Sequence, residues 1–242
     1  MSNEPESRDT KPARNRLARI ALASGDLFLR YPEDGELRAR TVVSRSQCRS
    51  TGKYPSWKTG RSIQWESPHE RAVARLLDAD PEVALFREQP LTICYTNHGE
   101  SRRHYPDFLV EWRNGYRELW EVKSASDAAR PEIVERTLYL TDVLPQAGFA
   151  YRMIVAEEIR TGPHLANAET LLKYGRVPVA VDDRERIRQI LLSAPFVTWG
   201  AAKEGILGPR GRANLARLTL EGVLKFDRNA RISDGTQFTL RS

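Results

Sequence analysis

The sequence predicts an α/β protein in which helices cover a sheet, and two observations support this prediction. Between residues 67 and 156 the patterns run in the order helix, three or four strands, helix, strand. Within that order, Asn114-Gly115 is flanked by strand-like segments, and Asn-Gly is a strong hairpin signal. An antiparallel hairpin between helical segments, followed by a short apolar strand, is typical of a sheet with helices packed against it.

The composition is that of a soluble globular chain with a basic balance. Of its 242 residues, 40% are hydrophobic and 29% are charged, with a net charge of +6. This length allows one large domain or two smaller ones. No apolar run approaches the roughly 20 residues that span a bilayer, and the first residues lack the apolar core of a signal peptide. We therefore expect a cytoplasmic protein without membrane contact, and free thiols at Cys48 and Cys94.

The first predicted helix begins at Ser67-Pro68 and ends near Asp80. Ser67 suits the N-cap, and Glu70 three residues later suits the matching position of a capping box. Apolar residues then recur with helical spacing at Ala72, Val73, Leu76 and Leu77. Glu70 therefore lies in the first turn, either as a capping partner alone or as an acid that takes part in a site.

Strands and one further helix follow. Strands are predicted over 83–88, 91–95, 104–113, 116–125 and 150–156. A helix is predicted over 131–145, with its buried stripe at Ile133, Val134, Leu138 and Leu140. A short helix is also expected within 17–31.

The turn at Asn114-Gly115 decides which side chains share a face. A two-residue loop would leave the carboxylates of Asp107 and Glu121 on opposite faces. A three-residue loop with Gly115 at positive φ pairs Asp107 with Glu121 instead. We predict this second register, which also places Lys123 on the same face, since strand side chains alternate.

Two carboxylates and an ammonium on one face predict a cation site or an ion pair. Asp107 and Glu121 could hold a hard divalent cation that also binds water and a phosphate oxygen. Such a cation makes a nucleophile from water, and Lys123 could orient that water or help to deprotonate it. The alternative is a solvated hairpin with a cross-strand Glu–Lys pair. The Pro106-Asp107 pair, in a hairpin that aligns it with Glu121 and Lys123, favours the cation site.

A basic, aromatic stretch precedes the first helix. From Leu37 to Trp65 there is no acidic residue. Basic side chains can neutralise phosphates and aromatic ones can stack on bases, although a solvated arm is the alternative. The stretch contains Arg38, Arg40, Arg45, Arg49, Lys53, Lys58 and Arg61, interleaved with Tyr54, Trp57 and Trp65. Its candidate DNA contacts are Lys53, Lys58 and Arg61.

The last third of the chain follows a different plan. A break at 161–163 separates it from the sheet. Helices are expected over 164–174, from Asp182 or Asp183 to about 192, over 197–206 and over 210–224, and a hairpin over 226–240 turns at Asp234-Gly235. Three helices followed by a hairpin is the plan of a winged helix-turn-helix, which binds DNA or docks a protein. Arg210 and Arg212 are its candidate DNA contacts.

The segments SPHERAVARLLDADPEVALFREQP, RHYPDF and ELWEVK together resemble the PD-(D/E)xK nucleases. Among these they are similar to TnsA, the endonuclease subunit of heteromeric cut-and-paste transposases of the Tn-seven type. The resemblance covers about residues 50–160 by motif and 161–242 by layout. It implies a restriction-endonuclease-like mixed sheet flanked by helices, then a small winged-helix-like domain. The implied division is a flexible arm at 1–36, a nuclease domain at 37–160 and a DNA- or partner-binding domain at 161–242.

The resemblance implies a role for each matching position. Glu70 corresponds to the helix-borne acidic ligand, Asp107 to the metal-bridging carboxylate and Glu121 to the second sheet carboxylate. Lys123 corresponds to the catalytic lysine, and the carbonyl of Val122 would complete the metal shell.

Two further positions bear on this correspondence. Glu66 lies one helical turn before Glu70 and outside the predicted helix, so it ranks second as the helix ligand. Tyr105 stands where the family usually has a threonine before Pro-Asp, and we expect it not to disturb the site.

The implied activity is Mg²⁺-dependent hydrolysis of DNA, with Mn²⁺ able to substitute. The family cuts the 5′ end of each transposon strand, the strand that is not transferred, and leaves a 5′-phosphate and a 3′-hydroxyl. The implied partners are the transposon ends, a TnsB-like DDE transposase and a TnsC-like AAA+ regulator. The alternatives are a stand-alone PD-(D/E)xK nuclease of restriction, repair or defence type, and a non-catalytic DNA-binding assembly protein.

Overall fold

The computed structural model describes residues 17–22, 25–33, 36, 38–39, 50–97 and 99–241. The strands up to the hairpin are β1 Leu17–Leu22, β2 Gly25–Arg30, β3 Gly52–Pro55, β4 Ser62–Trp65, β5 Val83–Glu88, β6 Thr92–Asn97, β7 Glu100–His104, β8 Phe108–Trp112 and β9 Arg117–Lys123. The later strands are β10 Ala150–Val155, β11 Val197–Thr198, β12 Leu224–Lys225 and β13 Gln237–Leu240.

The helices lie mostly after the hairpin. They are α1 Pro68–Ala79, α2 Ala125–Ala128, α3 Pro131–Val143, α4 Ala156–Arg160, α5 His164–Tyr174, α6 Val181–Ser193, α7 Trp199–Lys203 and α8 Gly211–Leu220, with a 3₁₀ turn at Leu144–Ala147. Within the described ranges, none of the helices has the length and apolar character needed to cross a membrane. Cys94 is a free thiol, whereas Cys48 lies outside the described residues.

The chain divides into two compact units. One comprises Met1–Thr41 and Gln89–Pro106, and the other Val42–Glu88 and Asp107–Ser242. These units do not follow the expected boundaries at 37 and 161, because the sheet and the last third of the chain share the second unit. The functions assigned to those three segments remain predictions.

The first unit contains an antiparallel sheet in the order β1-β2-β6-β7. The short helix expected within 17–31 is therefore wrong, and β2 belongs to a sheet rather than to a free arm. The reason lies in the period of burial, since Leu27 and Leu29 are both buried and two residues apart. A spacing of two is that of a strand with one covered face.

The second unit is built on a mixed sheet in the order β10-β9-β8-β5. Strand β10 runs parallel to β9, and the remaining neighbours are antiparallel. The α/β class with a mixed sheet is thus confirmed. The side chains buried in its core include Phe86, Phe108, Val110 and Leu119.

The hairpin between β8 and β9 has the predicted register. Phe108 pairs with Trp120, so Asp107, one residue before β8, lies opposite Glu121 in the same register. Gly115 has φ of 84°, as the three-residue loop requires. The loop therefore sets both acids at the same level of the sheet.

Helix α1 matches its prediction, whereas the buried stripe of α3 does not. In α1, Ser67 is the N-cap and accepts from the N–H of Glu70. In α3, Val134 and Leu138 are 43% and 68% exposed, so their assignment to the core is wrong. The residues of α3 that are buried are Ile133, Leu140 and Val143. Arg136 lies between the first two at spacings of three and four, hence on the covered face.

The last third contains its elements in the order α5, α6, β11, α7, α8, β12, β13. The three short strands form a sheet in the order β11-β13-β12. Helix α5 has the expected bounds, but α7 and α8 are shorter than expected. The N-cap of α6 is Ala180 without a side-chain hydrogen bond, so neither Asp182 nor Asp183 caps it. Both lie in the first turn, where negative charge favours the helix dipole.

Buried Asp78 near the end of α1 fixes the loop that follows β3. Its carboxylate accepts hydrogen bonds from the hydroxyls of Tyr54 and Ser56, each at 2.6 Å, and from the backbone N–H of Lys58 at 3.1 Å. Hydrogen bonds to a charged acceptor are stronger than neutral ones. The carboxylate of Asp78 therefore helps to anchor the pair β3–β4 to α1.

The side chain of Lys58 adds further hydrogen bonds between this loop and the end of α1. Its ammonium donates to backbone carbonyls at and beyond the end of α1, those of Leu77 at 3.0 Å, Val83 at 2.7 Å and Asp80. Burial lowers the pKa of Lys58 to about 8, although the charge of Asp78 opposes this. Lys58 thus satisfies carbonyls that a helix end leaves without intrahelical partners.

We predict that Asp78→Ala lowers the free energy of unfolding by about 3 kcal/mol, because it leaves several buried donors without an acceptor. Urea unfolding followed by circular dichroism measures the change. The matched control is Asp142→Ala on the exposed face of α3, for which a change within about 0.5 kcal/mol is expected. Equal effects of the two substitutions would contradict the role given to Asp78.

Candidate metal centre

Asp107 is fixed by the strand opposite it. Its N–H donates to the carbonyl of Trp120 at 2.9 Å, and its Oδ2 accepts from the N–H of Val122 at 2.7 Å. Burial and the charge of Glu70 raise the pKa of Asp107 to about 8, while Lys123 opposes the rise. Burial and the charge of Glu70 therefore favour the protonated form of this carboxyl when no cation is bound.

Glu121 is only 3% exposed and is surrounded by donors. Its Oε1 accepts from Lys123 Nζ at 2.7 Å and Arg136 Nη2 at 2.8 Å, and its Oε2 accepts from the hydroxyl of Tyr151 at 2.7 Å. A buried carboxylate needs such partners because an unpaired charge in the interior is costly. Burial and the charge of Glu121 also raise the pKa of Tyr151, which keeps its proton and donates.

Lys123 lies between the acids. Its ammonium is 3.5 Å from the carbonyl of Val122 as well as 2.7 Å from Glu121. Burial acts to lower the pKa of Lys123, but the charges of Glu121 and Asp107 outweigh it, so the pKa is raised. Lys123 is therefore a cation at neutral pH, which suits orienting a water molecule rather than deprotonating it.

Glu70 is a capping residue and a member of the same charge cluster. Its Oε2 accepts from the N–H of Glu66 at 2.8 Å, and its Oε1 accepts from the hydroxyl of Ser67 at 3.0 Å. Burial raises the pKa of Glu70, whereas those hydrogen bonds and the charge of Lys123 lower it. Glu70 is also the charged neighbour with the largest effect on Asp107. This favours Glu70 over Glu66 as the helix acid of the site.

The donor set can be compared with what a divalent cation requires. In the part of the chain that the structure describes, no three Asp, Glu, His or Cys side chains converge closely enough to hold a metal as they stand. The carboxylates instead accept from internal donors. The available oxygens, the carboxylates of Asp107, Glu121 and Glu70 and the carbonyl of Val122, are nevertheless of the hard type that Mg²⁺ prefers. The pKa of Asp107 is raised first by burial and then by the negative charge of Glu70, and a bound cation would favour the ionised carboxylate against both.

The five candidate DNA contacts have different surroundings. Lys53 and Arg210 are exposed. Lys58 is bound by the carbonyls described above. Arg61 forms a two-pronged ion pair with Glu88, at 2.8 and 2.6 Å.

Arg212 also has internal partners. It donates to the carbonyl of Trp199 at 3.0 Å and contacts Asp234. The contacts of Lys58, Arg61 and Arg212 account for their positions in the fold, and their predicted contacts with DNA remain predictions.

The aromatic residues of the basic stretch serve the core. Tyr54 and Trp65 are buried, so the expectation that they stack on bases is wrong. Trp57 lies beneath the guanidinium of Arg217, 4.4 Å from the ring centroid. Of the arginines earlier in the stretch, Arg40, Arg45 and Arg49 lie outside the described residues.

Sequence reasoning missed two residues that contact the site, Arg136 and Tyr151. A signal for Arg136 was present, because it shares a helix face with Ile133 and Leu140. A cation on a covered face needs a buried partner, and Glu121 is that partner. Tyr151 carried no comparable signal, since an aromatic residue in an apolar strand usually only packs.

The raised pKa of Asp107 gives a testable pH dependence. The carboxyl loses its proton near 3.8 in the unfolded chain and near 8 in the folded one. Between these values the folded state binds more protons, so this residue's contribution to stability falls as pH rises. We predict that Asp107→Asn removes this loss, so that the free energy of unfolding of the variant rises relative to that of the unaltered protein from about pH 4 to about pH 8.

Urea unfolding across that interval, with a chelator present, measures the difference. Asp142→Asn, at an exposed position, serves as the control and should follow the unaltered protein. Parallel pH profiles for Asp107→Asn and the unaltered protein would show that Asp107 titrates normally.

Part of the chain is similar to a known protein family. Residues 80–155 match the family model described as the TnsA-like endonuclease N-terminal domain. The matched segment contains Asp107, Glu121 and Lys123, and it begins after Glu70. No curated protein matches the chain. Residues 80–155 are thus similar to a TnsA-like endonuclease domain.

Proposed function

We propose that this chain is a metal-dependent DNA endonuclease that acts as a transposase subunit. Its substrate would be the 5′ end of the non-transferred strand at each transposon end. The observation that carries the proposal is the hairpin register, which places Asp107 opposite Glu121 beside Lys123. These residues lie inside the segment that matches the TnsA-like endonuclease domain.

The residues that would hold a cation are Asp107, Glu121 and the carbonyl of Val122, with Glu70 completing the shell. Mg²⁺ is the expected ion and Mn²⁺ an expected substitute, since both accept oxygen ligands. When bound, such an ion lowers the pKa of water and stabilises negative charge on a phosphate. Few protein ligands suffice, because water and substrate complete the octahedron.

Lys123 supplies a positive charge that the protein itself holds in place. An ammonium has three N–H donors. Acceptors for two of them are present, namely Glu121 at 2.7 Å and the carbonyl of Val122 at 3.5 Å. The remaining donor can orient the attacking water or a phosphate oxygen of the substrate. Position and charge are the main contributions a protein makes to phosphate chemistry.

The last third of the chain would bind DNA or a partner. Its three helices α6, α7 and α8, followed by the strands β12 and β13, support a winged-helix-like arrangement. Arg210 in this segment and Lys53 on β3 are the exposed cations proposed for phosphate contacts. The proposed partners are the transposon ends, a TnsB-like DDE transposase and a TnsC-like AAA+ regulator.

We predict that Asp107→Ala or Lys123→Ala lowers cleavage of the 5′ strand by about 100-fold or more while the fold is kept. Cleavage of labelled transposon ends, with Mg²⁺ and the proposed partner proteins present, measures the loss. Circular dichroism checks the fold. The matched controls are Asp142→Ala and Lys203→Ala, both at exposed positions.

Three outcomes would speak against this proposal. Unchanged cleavage by either variant would place the chemistry elsewhere. Loss of the folded state in Asp107→Ala would show that this aspartate is structural. Site-specific cleavage of naked DNA by the chain alone would favour a stand-alone nuclease.

We also predict that Lys53→Ala and Arg210→Ala each weaken DNA binding and reduce the slope of log Kobs against log salt by about 1. Each substitution removes one phosphate contact, so fewer counterions are released on binding. Fluorescence anisotropy at several salt concentrations gives the slope. Arg160→Ala, exposed on α4, is the control. A slope unchanged by both substitutions would remove these residues from the DNA surface.

A further inference from the structure

We propose that Tyr151 and Arg136 are positioning residues that hold the Glu121 carboxylate in the orientation from which it binds a divalent cation. The inference rests on the proposed function, because Glu121 needs such orientation only if it is a ligand. Neither residue is expected to touch the substrate or the cation. Each would act through Glu121.

The contact of Tyr151 is set by strand pairing. Strand β10 runs parallel to β9, with Leu119 opposite Tyr151 and Glu121 opposite Met153. Because strand side chains alternate, Tyr151 and Glu121 emerge on the same side of the sheet. The buried hydroxyl then reaches Oε2 at 2.7 Å. This hydrogen bond fixes the rotation of the carboxylate without adding charge.

The contact of Arg136 comes from a different direction. Arg136 lies on the covered face of α3, where its neighbours Ile133 and Leu140 are buried. Its Nη2 donates to Oε1 of Glu121 at 2.8 Å. The carboxylate is therefore held at one oxygen by a helix and at the other by a strand. Two contacts from separate elements define its plane more firmly than either would alone.

Arg136 has a second consequence, which concerns Lys123. Both cations contact the same oxygen of Glu121, at 2.8 and 2.7 Å. A buried carboxylate left without a cation would be strongly destabilising. Because Arg136 keeps Glu121 paired, Lys123 can turn toward water or phosphate without leaving an unpaired buried charge. Arg136 thus makes the lysine available to the reaction.

This arrangement matches a general property of metal sites. Groups that hydrogen-bond the ligands orient them, and their loss costs about 10- to 100-fold in metal affinity or activity. The variants chosen for the test keep the net charge, so that electrostatic attraction for the cation is unchanged. Tyr151→Phe removes only the hydroxyl, and Arg136→Lys keeps the positive charge but alters its reach and geometry.

The test is calorimetric titration of the purified full chain with Mn²⁺ alone, combined with urea unfolding of each variant. We expect Tyr151→Phe and Arg136→Lys each to weaken Mn²⁺ binding by about 10-fold. Tyr116→Phe and Arg130→Lys, both exposed and without a contact to Glu121 among the described residues, should bind Mn²⁺ as the unaltered protein does.

A merely structural role predicts a different result, namely lower stability with an unchanged dissociation constant for the folded protein. Folded variants whose Mn²⁺ affinity equals that of the controls would overturn the inference and leave the proposed function standing. If Arg136→Lys fails to fold, Tyr151→Phe alone decides, since it conserves charge and shape. Failure of the proposed function has its own signature, because Asp107→Asn would then bind Mn²⁺ as tightly as the unaltered protein. That outcome would overturn the inference as well.

Discussion

Burial of acidic side chains around one hairpin, where they also repel one another, is the constraint on which the candidate site depends. The hairpin register leaves Asp107 opposite Glu121, and the start of α1 adds the charge of Glu70. Each of these acids would be unfavourable in a buried place without compensation. The structure compensates each one differently. Asp107 holds its proton to about pH 8, Glu70 accepts from the beginning of its own helix, and Glu121 is paired with cations.

The same compensation explains how the cluster could perform chemistry. A region of excess negative charge is suited to receiving a divalent cation. Lys123 contacts the most buried of these acids and is still partly exposed, with 30% of its side chain accessible. It can therefore serve as the counter-ion of Glu121 when no metal is bound, and as a group that orients water or phosphate when a metal is bound. The similarity of residues 80–155 to an endonuclease domain is the reason for proposing phosphodiester hydrolysis as that chemistry.

How far the sequence could predict the molecule depended on the range of the interactions involved. Local ones were predictable. A three-residue loop ending in Gly115 fixes the pairing of every residue behind it, and Ser67-Pro68 marks a helix start from its own chemistry. Long-range ones were not. Strand β2 forms because it pairs with β6, more than sixty residues later. No local sequence pattern predicts that pairing. Which face of α3 is buried depends on its packing against β10, which is also a contact between distant parts of the chain.

The roles of the basic residues were also hard to predict from the sequence. A sequence shows that Lys58 and Arg61 are cationic, but not that one binds the end of a helix and the other a buried glutamate. The pairing of Asp107 with Glu121 was predictable because the length of the turn between their strands fixes it, and their roles as ligands remain predictions. Arg136 was not predicted because Val134 and Leu138 on α3 are apolar but exposed. Their presence suggested the wrong face of the helix as the buried one.

The most direct test of the central claim is a crystal structure of the chain soaked with Mn²⁺, with the ion located by its anomalous scattering. The account predicts an ion about 2.0–2.2 Å from oxygens of both Asp107 and Glu121. It also predicts that Lys123 has moved from Glu121 and that Arg136 has not. Mn²⁺ bound elsewhere, with Glu121 still held by Lys123 and Asp107 still on the N–H of Val122, would contradict it.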